Sequence, residues 1–186
     1  MKKILLIASA AFLCVTGFAQ TKFAHVNTEE LVQLSPESDQ ARATLTASRK
    51  EAHDTYQAMV EELQTKYQKY EQNAQTWTAA IRQSKEKELT DIQTRIHEFE
   101  QSIQTELQQQ QQQLMAPIYQ KAIDTVKEIA KAGGYIYVFE VNGLVYFDES
   151  QSTDITPEAR KRLNIPEGRT LEALQAEIQA QQQQLQ

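Results

Sequence analysis

Three histidines are the residues of this chain best suited to hold a metal ion or move a proton near neutral pH: His25, His53 and His97. They stand 28 and 44 residues apart, outside the short spacings that bring imidazoles onto one helix face or one turn. Each reads as an ordinary strand or helix residue. Carboxylate pairs such as Glu61-Glu62 and Glu98-Glu100 could divide acid and base work, but their polar surroundings make them solvated helix faces. Ser84 has no recognisable partner for nucleophilic catalysis. The five glycines are scattered, and none precedes the Lys-Ser/Thr pair of a phosphate-cradling loop. No enzyme activity, metal or cofactor is expected.

The elements around these residues begin with a secretory leader. Lys2 and Lys3 precede an apolar run from Ile4 to Phe18, and Gly17 and Ala19 supply the small residues that place cleavage after Ala19. The run is too short to favour a stable membrane anchor. Cys14 is the single cysteine, and Leu13 stands where lipidation requires a small residue. Cleavage at residues 1–19 leaves a cysteine-free chain, which excludes disulfides and thiolate zinc sites. Loss of Lys2 and Lys3 leaves 17 Lys+Arg against 25 Asp+Glu, a formal charge of −8. Such an acidic chain is not expected to bind nucleic acid.

From Pro36 to Pro117 the chain runs 80 residues without Gly, Pro or Cys. A stretch this long without turn residues, rich in Gln, Glu, Lys and Ala, predicts very long helix. Tyr56, Leu63, Tyr70 and Trp77 are spaced by seven, and Leu45, Ala52 and Met59 fill the alternate positions of a coiled-coil-like seam. A second seam follows at Leu89, Ile92, Ile96, Phe99, Ile103 and Leu107. Extending the first seam by sevens from Trp77 reaches Ser84, Asp91 and Glu98, all polar. One continuous helix would put the two stripes on different faces, so the phase slip predicts a fold-back between Ala74 and Ile81. The expected unit is an antiparallel helical-hairpin arm over residues 37–117, with its tip near 74–81 and Trp77 close to it. At about 1.5 Å per residue it reaches roughly 60 Å.

The flanks, residues 20–36 and 118–168, are expected to form a small α/β body. Phe23 to Val26 reads as a strand, with Asn27 and Thr28 as caps of a short helix ending near Leu34. Pro117 is expected to kink the helix without ending it, since Ile118, Ala122, Val126 and Ile129 keep their period. Gly133-Gly134 stops it. Tyr135 to Val141, Asn142-Gly143 and Leu144 to Phe147 predict a β-hairpin on a type I′ turn. Thr156-Pro157-Glu158 opens a short helix, with the threonine as cap. Residues 169–186 form a Gln-rich C-terminal helix or tail. Ile136, Val138, Val145 and Phe147 are the expected buried residues, and with Phe23 and Val26 the expected oligomerisation core. A three-stranded sheet is marginal alone, so association with other copies is expected to stabilise it. The fold class is mainly α with a small β part. The Gln108 to Gln113 run reads as a polar length of helix.

Near the fold-back, Lys66, Lys69, Arg82, Lys85 and Lys87 face only Glu71 and Glu86 in sequence, which makes the tip locally basic. With Tyr67, Tyr70 and Trp77 these cations are the candidate contacts for a client or for a membrane surface; ordinary solvated helix ends and arm packing are the competing account.

The order of these elements resembles the Skp/OmpH family of periplasmic chaperones. It comprises a leader, the Phe23-Ala24-His25-Val26-Asn27 strand, a helical arm, the Leu114-Met115-Ala116-Pro117 return, a Gly-Gly-Tyr strand and the Asp154-Ile155-Thr156 helix. The resemblance covers about residues 20 to 165. It implies a homotrimer whose strands build a barrel-like core, with three arms projecting around a cavity. It also implies an ATP-independent holdase of the periplasm that keeps unfolded outer-membrane proteins from aggregating before their assembly. Better-known members are basic, whereas this chain is acidic away from its tip, and the Gln-rich segment after Gly168 has no clear counterpart among them. A structural or adaptor coiled-coil protein of the cell envelope is the alternative, and a surface protein with its tip on lipid is a second.

Overall fold

A computed structural model describes residues 21–184; the leader expected over residues 1–19 lies outside the described residues. The chain runs β1 (Lys22–Val26), α1 (Thr28–Gln33), α2 (Pro36–Asn73), α3 (Ala79–Gly133), β2 (Tyr135–Glu140), β3 (Ser152–Asp154), α4 (Thr156–Arg162) and α5 (Leu171–Gln184), with short 3₁₀ turns at Val141–Gly143 and Glu149–Gln151. It is mainly helical with one small sheet, the fold class expected from the sequence.

Local chemistry sets the helix ends. The Asn27 side chain accepts from the Glu30 amide at 2.9 Å and starts α1. Ser35 caps α2 by accepting from the Ser38 amide, with Pro36 in the first turn where its missing N–H costs nothing. Thr78 caps α3 in the same way through the Ile81 amide. Helix α3 runs through Pro117 without a break and ends at Gly134, whose φ of 68° is the left-handed conformation that a Cβ disfavours. Thr156 does not cap α4. Its Oγ1 instead accepts from the Asn27 amide at 3.0 Å, and Asp154 accepts from the Thr156 amide at 2.8 Å. The hydroxyl is drawn off because the adjacent β1–α1 junction has a free donor.

The sheet departs from the sequence expectation. Its strand order is β2-β1-β3, and both pairings are parallel. No hairpin forms at Asn142-Gly143. Gly143 lacks the positive φ that a type I′ turn requires, and the Leu144 amide closes a tight turn on the Val141 carbonyl at 3.1 Å. Residues 144–148 join no strand. They carry the chain back past the sheet, with the Phe147 ring 4.5 Å from His25. The third strand is Ser152–Asp154, on the far side of β1. The Ile155 amide then donates to the His25 carbonyl at 3.0 Å, so β3 delivers Ile155 and α4 into the core. A parallel neighbour on each side makes β1 central, and the whole arm lies within the β1–β2 crossover.

The core lies on one face of this sheet. Ala24 and Val26 point into it, against Leu31 and Leu34 from α1 and its exit, Ile118, Ala122, Val126 and Ile129 from the lower part of α3, and Ile155, Ala159 and Leu163 around α4. Leu174 of α5 closes one side. The spacing of four, four and three from Ile118 through Ala122 and Val126 to Ile129 turns a single stripe of α3 toward the core. Of the residues expected to be buried, Val138 and Phe147 are only half-buried, while Ile136 is 57% exposed and Val145 wholly exposed. Phe23 is also half-buried, and of the six core candidates only Val26 is buried within the chain. The physical reasons differ: with the hairpin lost Val145 has no strand to sit on, and Ile136 is skipped where the pairing steps from Lys22–Tyr135 to Phe23–Tyr137.

Candidate functional site

Above the body, α2 and α3 pair antiparallel and reverse direction over residues 74–78. The pairing is laced from root to tip. Lys121 meets Glu37 at the root, Gln110 donates to Ser48 at 3.0 Å, Arg95 to Glu62 at 2.7 Å, and Lys66 to Glu88 near the tip. The two apolar stripes face each other along this line. Ile92 is 3% exposed, while Ala52, Met59, Leu63, Leu89, Ile96, Phe99, Ile103 and Leu107 are half-buried. Two helices alone cannot enclose a seam, so the stripe stays partly open along the shaft. An open cleft of roughly 420 Å³ lies between Ala52 and Thr55 on α2 and Phe99, Ile103 and Leu107 on α3, with Glu51 and Glu106 among its lining residues.

At the tip the expected contact residues divide into two sets. Lys66, Tyr70, Trp77 and Lys85 tie the hairpin together. Lys66 pairs with Glu88, Lys85 with Glu88 at 2.9 Å, the Tyr70 hydroxyl donates to Glu86, and the Tyr70 and Trp77 rings meet edge-on at 6.0 Å. Hydrogen bonds from Lys66 and then Lys85 pull the Glu88 carboxyl down to about 2. The Glu86 carboxylate beside Tyr70 raises its phenol above the ordinary range, and Glu100 does the same to Tyr56 halfway down the arm. Tyr67, Lys69, Arg82 and Lys87 are exposed, and the three cations among them make no ion pair among the described residues. The fold-back thus gathers a basic surface from two stretches of sequence and spends Lys66 and Lys85 on cohesion.

The body carries a second unsatisfied surface, on the sheet face away from the core. Phe23 stacks on Tyr137 at 6.2 Å and meets Phe139 at 6.3 Å, while Tyr137 and Phe139 lie 5.9 Å apart. Tyr137 is 60% and Tyr146 83% exposed. Tyr137 and Phe139 thus leave aromatic surface of the sheet open to water, and Tyr146 adds more in the segment that follows. Sequence reading missed Tyr137, Phe139 and Tyr146. The signal was present in the alternation of Tyr137 and Phe139 against Val138; the register skips Ile136, so Tyr135 packs on the core with Val138 and leaves Tyr137 and Phe139 on the outer face. His25 lies on this side of β1, its Nδ1 2.9 Å from the Ser152 hydroxyl. His53 and His97 sit exposed on the arm, and the His97 ring contacts Gln101 at 2.9 Å. No group of three or more His, Cys, Asp or Glu among the described residues is arranged to hold a metal ion. No helix among them is long and apolar enough to cross a membrane.

A long helical hairpin on a small sheet, with its interaction potential in surfaces rather than in a catalytic pocket, is the build of a protein that holds or docks other chains. A family model described as outer membrane protein (OmpH-like) matches residues 22–163. The chain belongs to this Skp/OmpH chaperone family, which is not an enzyme family. Among individual proteins, it is 30% identical over 169 residues to the chaperone protein Skp of Yersinia enterocolitica, covering 88% of this chain and 99% of that one. A crystal structure described as an OmpH-like outer membrane chaperone, from Caulobacter crescentus CB15, has the same fold with a TM-score of 0.69. That match covers 80% of this chain and 86% of the other at 14% identity.

Proposed function

We propose that this protein is an ATP-independent holdase of the periplasm, a homotrimer whose arms hold unfolded outer-membrane proteins and keep them from aggregating before assembly. The observation that carries the reading is the arm itself: 38 residues of α2, about 57 Å, standing beside α3 with an apolar seam that its partner helix only half covers. Shallow apolar contacts repeated along such arms give avidity without a tight pocket. A client held in this way stays mobile and leaves without chemical energy. Kinship to a chaperone named Skp supports the same reading. The half-buried Phe23 ring and the exposed Tyr137 and Phe139 rings, backed across the sheet by the core residues Val26 and Val138, are the surface through which copies would join. Lys69, Arg82 and Lys87 at the tip would add weak contact with acidic client segments or an anionic membrane surface.

The test is suppression of aggregation when a urea-unfolded outer-membrane β-barrel protein is diluted into buffer. Stoichiometric trimer should keep the client soluble without ATP. Unchanged light scattering from the client would end the holdase reading and favour the envelope adaptor.

A further inference from the structure

Helix α5 and the turn before it lie beyond the family match, which stops at residue 163. They do not trail off the body. The chain turns at Gly168, with φ of 80°, and Arg169 then reaches α2, where its two terminal nitrogens meet the two carboxylate oxygens of Asp39, each at 2.5 Å. Asp39 sits in the first turn of α2, at the root of the arm. It also binds Arg42, which donates through both nitrogens to the Gln33 carbonyl of α1 at 3.1 Å. On the other side, Arg160 of α4 donates to the Pro166 and Arg169 carbonyls at 3.0 and 2.8 Å and pairs with Glu30 of α1. These bonds close a ring: α1, α4, the turn, Arg169, Asp39, Arg42 and back to α1. Behind the ring Leu174 is 4% exposed, with Leu171 and Ile178 packed on the same core.

We infer that residues 166–178 form a clamp that fixes the direction in which the arm leaves the body, and that Arg169 is its positioning residue. A bidentate guanidinium–carboxylate pair constrains angle as well as distance, which a lysine at the same place could not do. Without the clamp, the polar ties of α2's first turns to the body are the Ser35 and Ser38 cap bonds to the Val32 carbonyl, the Arg42–Gln33 bond and the single-point Lys121–Glu37 ion pair, beside the packing of Ala41, and a 38-residue lever amplifies any play at its root. A fixed arm sets the width of whatever space the arms enclose; that consequence rests on the holdase reading, whereas the clamp does not.

The experiment is a pulsed-dipolar distance measurement between nitroxides at Gln75→Cys on the tip and Lys161→Cys on the body. The doubly labelled mature chain is diluted into unlabelled chain so that distances within one copy dominate. The intact protein should give one narrow distance. Arg169→Ala should broaden the distribution roughly twofold, truncation after Gly168 should broaden it further, and Arg169→Lys should fall between wild type and Arg169→Ala. Far-ultraviolet circular dichroism checks that the helices persist in each variant. Unchanged distributions in Arg169→Ala and in the truncated chain would overturn the clamp, whatever the outcome with clients. If the truncated chain loses its helices, Arg169→Ala and Asp39→Asn decide alone: broadening in both supports the clamp, and no broadening in either rejects it.

Discussion

Single residues in this chain carry unequal loads, and burial separates them. Leu31 and Leu34 are fully buried where α1 and its exit pack into the core with α3 and α4. Leu31→Ala should cost about 2–5 kcal/mol, because it removes packed methyl groups and leaves a cavity; urea unfolding followed by circular dichroism measures it. Gly134→Ala should cost about 1–2 kcal/mol in the same assay, since its left-handed φ brings a Cβ against the following carbonyl. At the tip the pH response has a defined sign. Glu88 is held at about 2 by Lys66 and Lys85, below its ordinary 4.5. The folded hairpin therefore gains from Glu88 at any pH above about 4.5, and loses that gain as the pH falls through about 2. Carbon-13 NMR of the Glu88 carboxyl should show the low midpoint, and Lys66→Met should move it up toward 4.5. An ordinary midpoint in the wild type would remove the clasp. Asp39 follows the same sign. Burial opposes its ionisation, the Arg169 and Arg42 hydrogen bonds more than offset it, and its contribution fades as acid protonates it.

At the scale of elements, the arm is two helices that depend on each other. Neither buries enough surface alone, and an exposed single helix of this composition is marginal in water. In the distal half of the shaft Ile92 is the one described residue buried as deeply as the body core; Leu45 matches it nearer the root. Ile92→Asp should therefore open the distal half of the arm. Hydrogen exchange in residues 56–73 and 79–100 should accelerate by an order of magnitude or more, at a cost of about 2–4 kcal/mol of local opening, while residues 118–133 stay protected. The two halves of α3 are separable in this respect: below Pro117 it belongs to the body core, and above it to the arm. The arm seams and the fold-back were legible in the sequence because helical period, caps and phase are local properties. Tyr56, Leu63 and Tyr70 announce one face, Leu89, Ile96 and Ile103 another, and only a reversal reconciles them. The tip was less legible. Lys66 and Lys85 read as free cations, because the Glu88 that binds both is recognised only once the helices are folded together.

For the whole molecule, the aromatic sheet face is the surface with most to gain from assembly. Burying Tyr137 and Phe139 side chains is worth about 1.5–3 kcal/mol each on the area scale, repeated in every copy. Tyr137→Ser with Phe139→Ser should leave helix content intact and lower the mass in solution from trimer to monomer, read by light scattering. A wild-type protein already monomeric at micromolar concentration would remove the trimer, and with it the cavity between arms.

The sequence by itself determined the helices, their stops and the reversal at the tip, because caps, breakers and periodicity act over a few residues and need no partner. It also determined the family through the order of these elements. Only the tertiary structure decided the sheet. Asn142-Gly143 is a strong local signal for a hairpin, yet β1 offers two open edges and β3 must carry Ile155 into the core. Strand pairing joins residues more than a hundred positions apart, and the global gain of placing β1 between two parallel neighbours outweighs a two-residue turn preference. The clamp at the arm root was hidden for the same reason: Arg169 and Asp39 are 130 residues apart, and nothing near either one names the other.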